Sequence, residues 1–97
     1  MPLYVQIVDW TDQGIRTVKD TVKRADAFVA MARKMGCKVQ QIVYTMGPHD
    51  VVTILEAPDD ETMSALSLAV SRLGNIRTLT MRGYTKEEMA KIVGKLR

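Results

Sequence analysis

The chain predicts an α+β protein of the ferredoxin-like type: a βαββαβ antiparallel sheet with helices on one face, plus a short C-terminal helix. Three observations lead there. Four short segments alternate at period two or are apolar on both faces, as strands do. Two longer segments carry apolar stripes at spacings of three and four, as helices do. A Gly-Pro turn sets the second and third strands back to back, so two βαβ halves are joined by a hairpin. With 97 residues, 46% of them apolar and 26% charged, the chain reads as one domain, 1–97.

The first strand covers 3–8, where Leu3, Val5 and Ile7 share a face. Thr11 can cap the helix that follows, and Asp12 in its first turn suits the positive end of the helix dipole. Ile15, Val18, Val22, Ala25, Phe28, Val29, Ala32 and Met35 then form one stripe, ended by Gly36. So long a helix invites a kink near Thr21. The second strand covers 38–46, with Ile42, Tyr44 and Met46 on one face and Val39, Gln41, Val43 and Thr45 on the other. Gly47-Pro48-His49-Asp50 is the turn, and 51–55, apolar on both faces, reads as a strand covered on both sides. Asp59 caps a second helix after Pro58. Met63, Leu66, Ala69, Val70 and Leu73 face inward, and Gly74 stops it. A fourth strand at 76–81 alternates Ile76, Thr78 and Thr80 with Arg77, Leu79 and Met81. Thr85-Lys86-Glu87-Glu88 is a capping box for the last helix.

Composition narrows the function classes. No apolar run approaches the ~18 residues of a membrane-spanning helix, and 1–5 lacks the character of a signal peptide. Cys37 is the single cysteine and can form no internal disulfide, so the cytoplasm is the default compartment. The formal charge is +3 but uneven. Residues 16–38 hold seven basic and two acidic residues, 39–76 one and five, and 77–97 six and two. The basic segments are either solvated helix faces or an attraction for phosphate-rich partners. The third strand carries no aromatic and the first only Tyr4, so base stacking on the sheet is disfavoured and no specific nucleic-acid binding is expected. There is no P-loop or Rossmann glycine pattern. Topology separates Cys37 from the lone His49, which disfavours a metal site or a Cys-His nucleophile. Capping accounts for Asp59-Asp60-Glu61, and apolar stripes account for Met35, Met63 and Met81. No metal and no cofactor are expected.

Trp10-Thr11-Asp12-Gln13-Gly14-Ile15, Gly47-x-His49-Asp50, Ala57-Pro58-Asp59-Asp60 and Gly74-Asn75-Ile76-Arg77-Thr78-Leu79-Thr80 occur in this order over nearly the whole chain. Together they resemble the GYD domain family, small bacterial-type proteins without an established biochemical function. The resemblance implies a ferredoxin-like fold that pairs through its open sheet face into a dimeric α+β barrel. The chain departs from the namesake motif at His49, where a tyrosine is expected.

Strand direction gathers the notable residues at one end. The end of strand one, the central hairpin and the start of strand four meet there. They bring Asp9, Trp10, Gln13, His49, Asp50, Asn75 and Arg77 together with the start of the first helix, whose free N–H groups can bind an anion. Each has two readings. His49 is a general acid/base or ligand contact, or an exposed turn residue. Asp50 orients it, or bonds local backbone. Trp10 lines a pocket or lids the core. Asn75 contacts ligand or serves a turn. Arg77 holds a ligand carboxylate, or pairs with Asp9 or Asp50. His49 and Asp50 are thus the catalytic candidates, and Asp9, Trp10, Gln13, Asn75 and Arg77 the ligand-binding ones.

Three functions compete. The first is small-molecule binding, or cofactor-independent acid/base chemistry, in a pocket at the hairpin end. The second is a non-catalytic regulatory or assembly module. The third is a weak RNA-binding module. A homodimer or higher homo-oligomer is expected, because two helices cover only one face of a sheet whose interior strand is apolar on both.

Overall fold

The computed structural model describes residues 1–97. Strand β1 (Leu3–Trp10) leads into α1 (Asp12–Arg16), a 3₁₀ turn (Val18–Asp20) and α2 (Thr21–Lys34). A hairpin of β2 (Lys38–Tyr44) and β3 (Val51–Glu56) follows, then α3 (Asp60–Ser71), β4 (Ile76–Gly83) and α4 (Lys86–Val93). The strands form one antiparallel sheet in the order β2-β3-β1-β4. This is the expected ferredoxin-like arrangement, with β1 and β3 central.

Pleating sorts the side chains. Tyr4, Gln6 and Val8 of β1 and Val51, Thr53 and Leu55 of β3 are buried against the helices. The core comprises Tyr4, Ala32, Cys37, Leu55, Ala57, Met63 and Leu66, with Phe28, Met31, Met35, Val39 and Val70 packed around it. The opposite face carries Leu3, Val5 and Ile7, which lie in register with Glu56, Ile54 and Val52 of β3 and with Gly83, Met81 and Leu79 of β4. No helix of the chain covers it. α4 makes no substantial contact with the sheet, and its own Met89, Ile92 and Val93 are exposed.

The local signals for element ends act as anticipated. Thr11 accepts the Gly14 N–H, Asp59 accepts the Thr62 N–H, and Thr85 and Glu88 form the reciprocal capping box. Gly36 ends α2 with φ +79°, a conformation that costs glycine little.

Other expectations are corrected. The long first helix is broken into α1, the 3₁₀ turn and α2, so the discontinuity begins at Thr17, ahead of Thr21. The Thr17 hydroxyl donates back to Gln13 O at 2.9 Å, a bond that competes with helix propagation. The break resets the phase of the stripe and leaves Ile15 and Val22 exposed. In β2 a bulge between Val39 and Gln41 breaks the alternation. Val39 therefore pairs with Leu55 and faces the core, on the same side as Ile42 and Tyr44. Leu73 and Met81 are exposed rather than inward.

Candidate functional site

At the hairpin end, α1 is clamped to the start of β4. Thr11 donates its hydroxyl to Gly74 O at 2.5 Å and its backbone N–H to Asn75 O at 3.0 Å. Gln13 Nε2 donates to Leu73 O at 3.0 Å and to Asn75 Oδ1 at 2.9 Å. Gly74 makes the turn with φ +91°. Gly14 lies so close to it that a Cβ there would fall 1.9 Å from Asn75 O.

The hairpin is tied to β1 on the other side. Asp50 Oδ2 accepts the Trp10 N–H at 2.9 Å, and the Asp50 N–H donates to Val8 O at 3.2 Å. The Thr45 hydroxyl donates to His49 O at 2.6 Å. His49 Nδ1 lies 3.2 Å from both carboxylate oxygens of Asp9. The side chains of this pair are 47% and 41% exposed, so Asp9 orients the imidazole at the surface rather than in a dry pocket.

A cavity of about 160 Å³ lies between α2 and the sheet at this same end. Its walls are mostly apolar, among them Trp10, Phe28, Tyr44, Val51 and Ile76. Trp10 and Asn75 line it; Asp9, Gln13, His49, Asp50 and Arg77 do not. The pleat is the reason. Trp10 pairs with Ile76 on the helix side of the sheet, while Asp9 pairs with Arg77 on the open side. Arg77 makes no ion pair with Asp9 or Asp50. The seven residues thus fall into three groups: His49 with Asp9, Trp10 with Asp50, and Gln13 with Asn75. Arg77 stands beside the first across the strand register.

The N-terminus of α1 is not open to an anion as topology suggested. The Gly14 N–H is held by Thr11 Oγ1, and the helix is only five residues long. Sequence reasoning also passed over Arg24, Tyr44 and Thr53 as site residues, although all three line the cavity. The available signal was Arg24 one turn before Phe28, a basic residue on an otherwise apolar stripe.

A second, more polar groove runs between α3 and β4, with Tyr4, Asp60, Ser67, Thr80 and Arg82 along it. The Tyr4 hydroxyl donates to Asp60 Oδ1 at 2.5 Å. Burial, together with that bond, pushes the Tyr4 phenol up to about 12. Arg82 stacks over the Tyr84 ring at 4.7 Å and over Tyr4 at 5.8 Å. Because Tyr4 is buried under the helices, the open sheet face offers no aromatic from β1. No three His, Cys, Asp or Glu side chains converge as metal ligands. Cys37 is buried at the far end, where burial and then Asp59 push its thiol up. No helix is long and apolar enough to cross a membrane.

The model of the GYD domain matches residues 4–93. A curated protein of Thermus thermophilus, named "Glutamine synthetase and cystathionine beta-lyase binding protein", is 28% identical over 82 residues. The match spans 84% of this chain and 86% of that protein.

Proposed function

The chain belongs to the GYD domain family, and from that premise we propose that it is a binding module, pairing with itself through the open sheet face and docking other proteins. The open face carries this reading. Leu3, Val5, Ile7, Val52, Ile54, Leu79 and Met81 form a continuous aliphatic surface on a sheet that α2 and α3 cover from the other side only. Soluble monomers avoid a patch of that kind. Two identical faces meeting about a twofold axis close on themselves, which gives the dimeric α+β barrel. The exposed apolar residues of α4 supply a second surface for partners. The name of the Thermus thermophilus relative points the same way, since it describes a protein that binds two enzymes. Light scattering tests the pairing. Twice the chain mass of 10.9 kDa is expected, and Leu79→Asp returns the single-chain mass. A wild-type protein of 10.9 kDa at micromolar concentration refutes it. Biolayer interferometry against purified glutamine synthetase and cystathionine β-lyase tests the docking. Binding to at least one is expected, and binding to neither removes the support the relative gives.

The cavity beneath α2 favours a second activity of the same module, binding of a small molecule at the hairpin end, with Trp10 and Asn75 as contacts. Acid/base chemistry by His49, oriented by Asp9, ranks behind it. The imidazole lies outside the cavity lining, and the carboxylate of Asp50 already holds the Trp10 backbone. RNA binding ranks last, for want of aromatics on the open face.

A further inference from the structure

We infer that the cavity between α2 and the sheet takes a small aromatic or branched aliphatic carboxylate, with Arg24 receiving its charged end. The inference rests on the small-molecule reading of that cavity and assigns its ligand class. Three observations carry it.

The first is the state of Arg24. It lines the cavity, and no carboxylate of the chain pairs with it. Its Nη1 donates to Thr17 O at 2.9 Å and to Thr17 Oγ1 at 3.0 Å, and its Nη2 donates to Gly14 O at 3.1 Å. These acceptors are neutral. They fix the guanidinium in place without cancelling its charge, and they occupy three of its five N–H donors. The two remaining donors suit a carboxylate, which a planar guanidinium binds through paired, charge-assisted hydrogen bonds.

The second is Thr53. Its residue is 3% exposed and lies on the cavity lining, one of the few polar side chains in a mostly apolar wall. Its hydroxyl is a group that can donate to or accept from a ligand oxygen. The third is size and wall chemistry. About 160 Å³ is close to the volume of an apolar cavity known to admit a benzene ring. The walls contributed by Trp10, Phe28, Val51 and Ile76 suit a flat or branched apolar body. A polyanion such as a nucleotide is too large and too polar for these walls.

Trp10 is the only tryptophan and lines the cavity, so its fluorescence reports occupancy directly. The test titrates the full chain with benzoate and, separately, with benzyl alcohol, its near-isosteric neutral counterpart. Benzoate is expected to change Trp10 emission saturably and to bind roughly tenfold or more tightly than the alcohol, the size of one charge-assisted pair. Arg24→Met is expected to erase that preference while leaving the alcohol's binding in place. Equal affinity of the wild-type protein for the two probes overturns the carboxylate assignment and leaves the apolar cavity reading standing. No response to either probe up to tens of millimolar overturns both. The wild-type comparison decides the matter even if Arg24→Met loosens α1 by releasing the Gly14 and Thr17 carbonyls.

Discussion

Gly14→Ala isolates the clamp between α1 and β4, because local and tertiary physics give it opposite signs. Glycine inside a helix is less favourable than alanine by roughly 0.5–1 kcal/mol, so propensity alone makes the variant more stable. The structure says otherwise. The added Cβ would sit 1.9 Å from Asn75 O and 2.9 Å from Asn75 C, both backbone atoms that cannot swing aside. Relief requires α1 to lift from the 73–75 turn by about an ångström or more, given that ordinary contacts of this kind lie near 3.5 Å. That displacement breaks the Thr11 bonds to Gly74 O and Asn75 O, at about 1 kcal/mol each. Overpacking strain adds ~1–3 kcal/mol. After the gain in propensity, the net loss is about 2–4 kcal/mol. Urea denaturation followed by far-UV circular dichroism and Trp10 fluorescence measures it, at one fixed protein concentration so that self-association does not enter. A variant as stable as the wild type, or more so, would show that the clamp does not constrain this end of the fold.

Three further outcomes follow from the packing and the titrating groups. Leu55→Ala, at a position with 0% exposure, is expected to cost about 2–5 kcal/mol by urea denaturation, and a loss below ~1 kcal/mol contradicts its central place in the core. The Tyr4 phenol is pushed up to about 12 in the fold, so the stability linked to it is present below about pH 10 and is lost as pH rises towards 12. Tyr4→Phe should flatten that alkaline loss in thermal melts and remove the last step of the phenolate absorbance titration. Asp59 is held below its ordinary 3.8 by the Thr62 N–H, so its cap contributes above that pH and is lost in stronger acid. Asp59→Ala should therefore lower the melting temperature at neutral pH, and the gap to wild type should close as pH falls; a gap that does not change with pH refutes the charged cap.

What was legible in the sequence was local or strictly periodic. The caps at Thr11, Asp59 and Thr85 involve partners three residues away, so residue type and spacing suffice. β3 carries apolar residues on both faces: Val51 and Leu55 lie against the helices, and Val52 and Ile54 lie on the open side. The split of the long helix depends on tertiary bonds that no window reveals: Arg24 ties the carbonyls of Gly14 and Thr17 together and stabilises an early end to α1. The bulge in β2 was hidden for a similar reason. Val39 must reach Leu55, and the chain spends one extra residue to turn it inward. At the candidate site, topology brought the right segments to one end but did not assign faces. Parity within β1 does that: Asp9 and Trp10 are neighbours in the chain and lie on opposite sides of the sheet. Parity in β4 separates Arg77 from Ile76 in the same way.

The bulge in β2 has a consequence for how this protein meets copies of itself. β2 is an edge strand, and its outer row of amide and carbonyl groups is a template on which another chain could add strand by strand. An irregularity near the start of that edge interrupts the hydrogen-bonding rhythm and increases the local twist, so an incoming strand cannot stay in step along its length. Open-ended growth into fibrils is discouraged there. The aliphatic face is the sticky surface that remains, and the twofold pairing proposed for it stops at two.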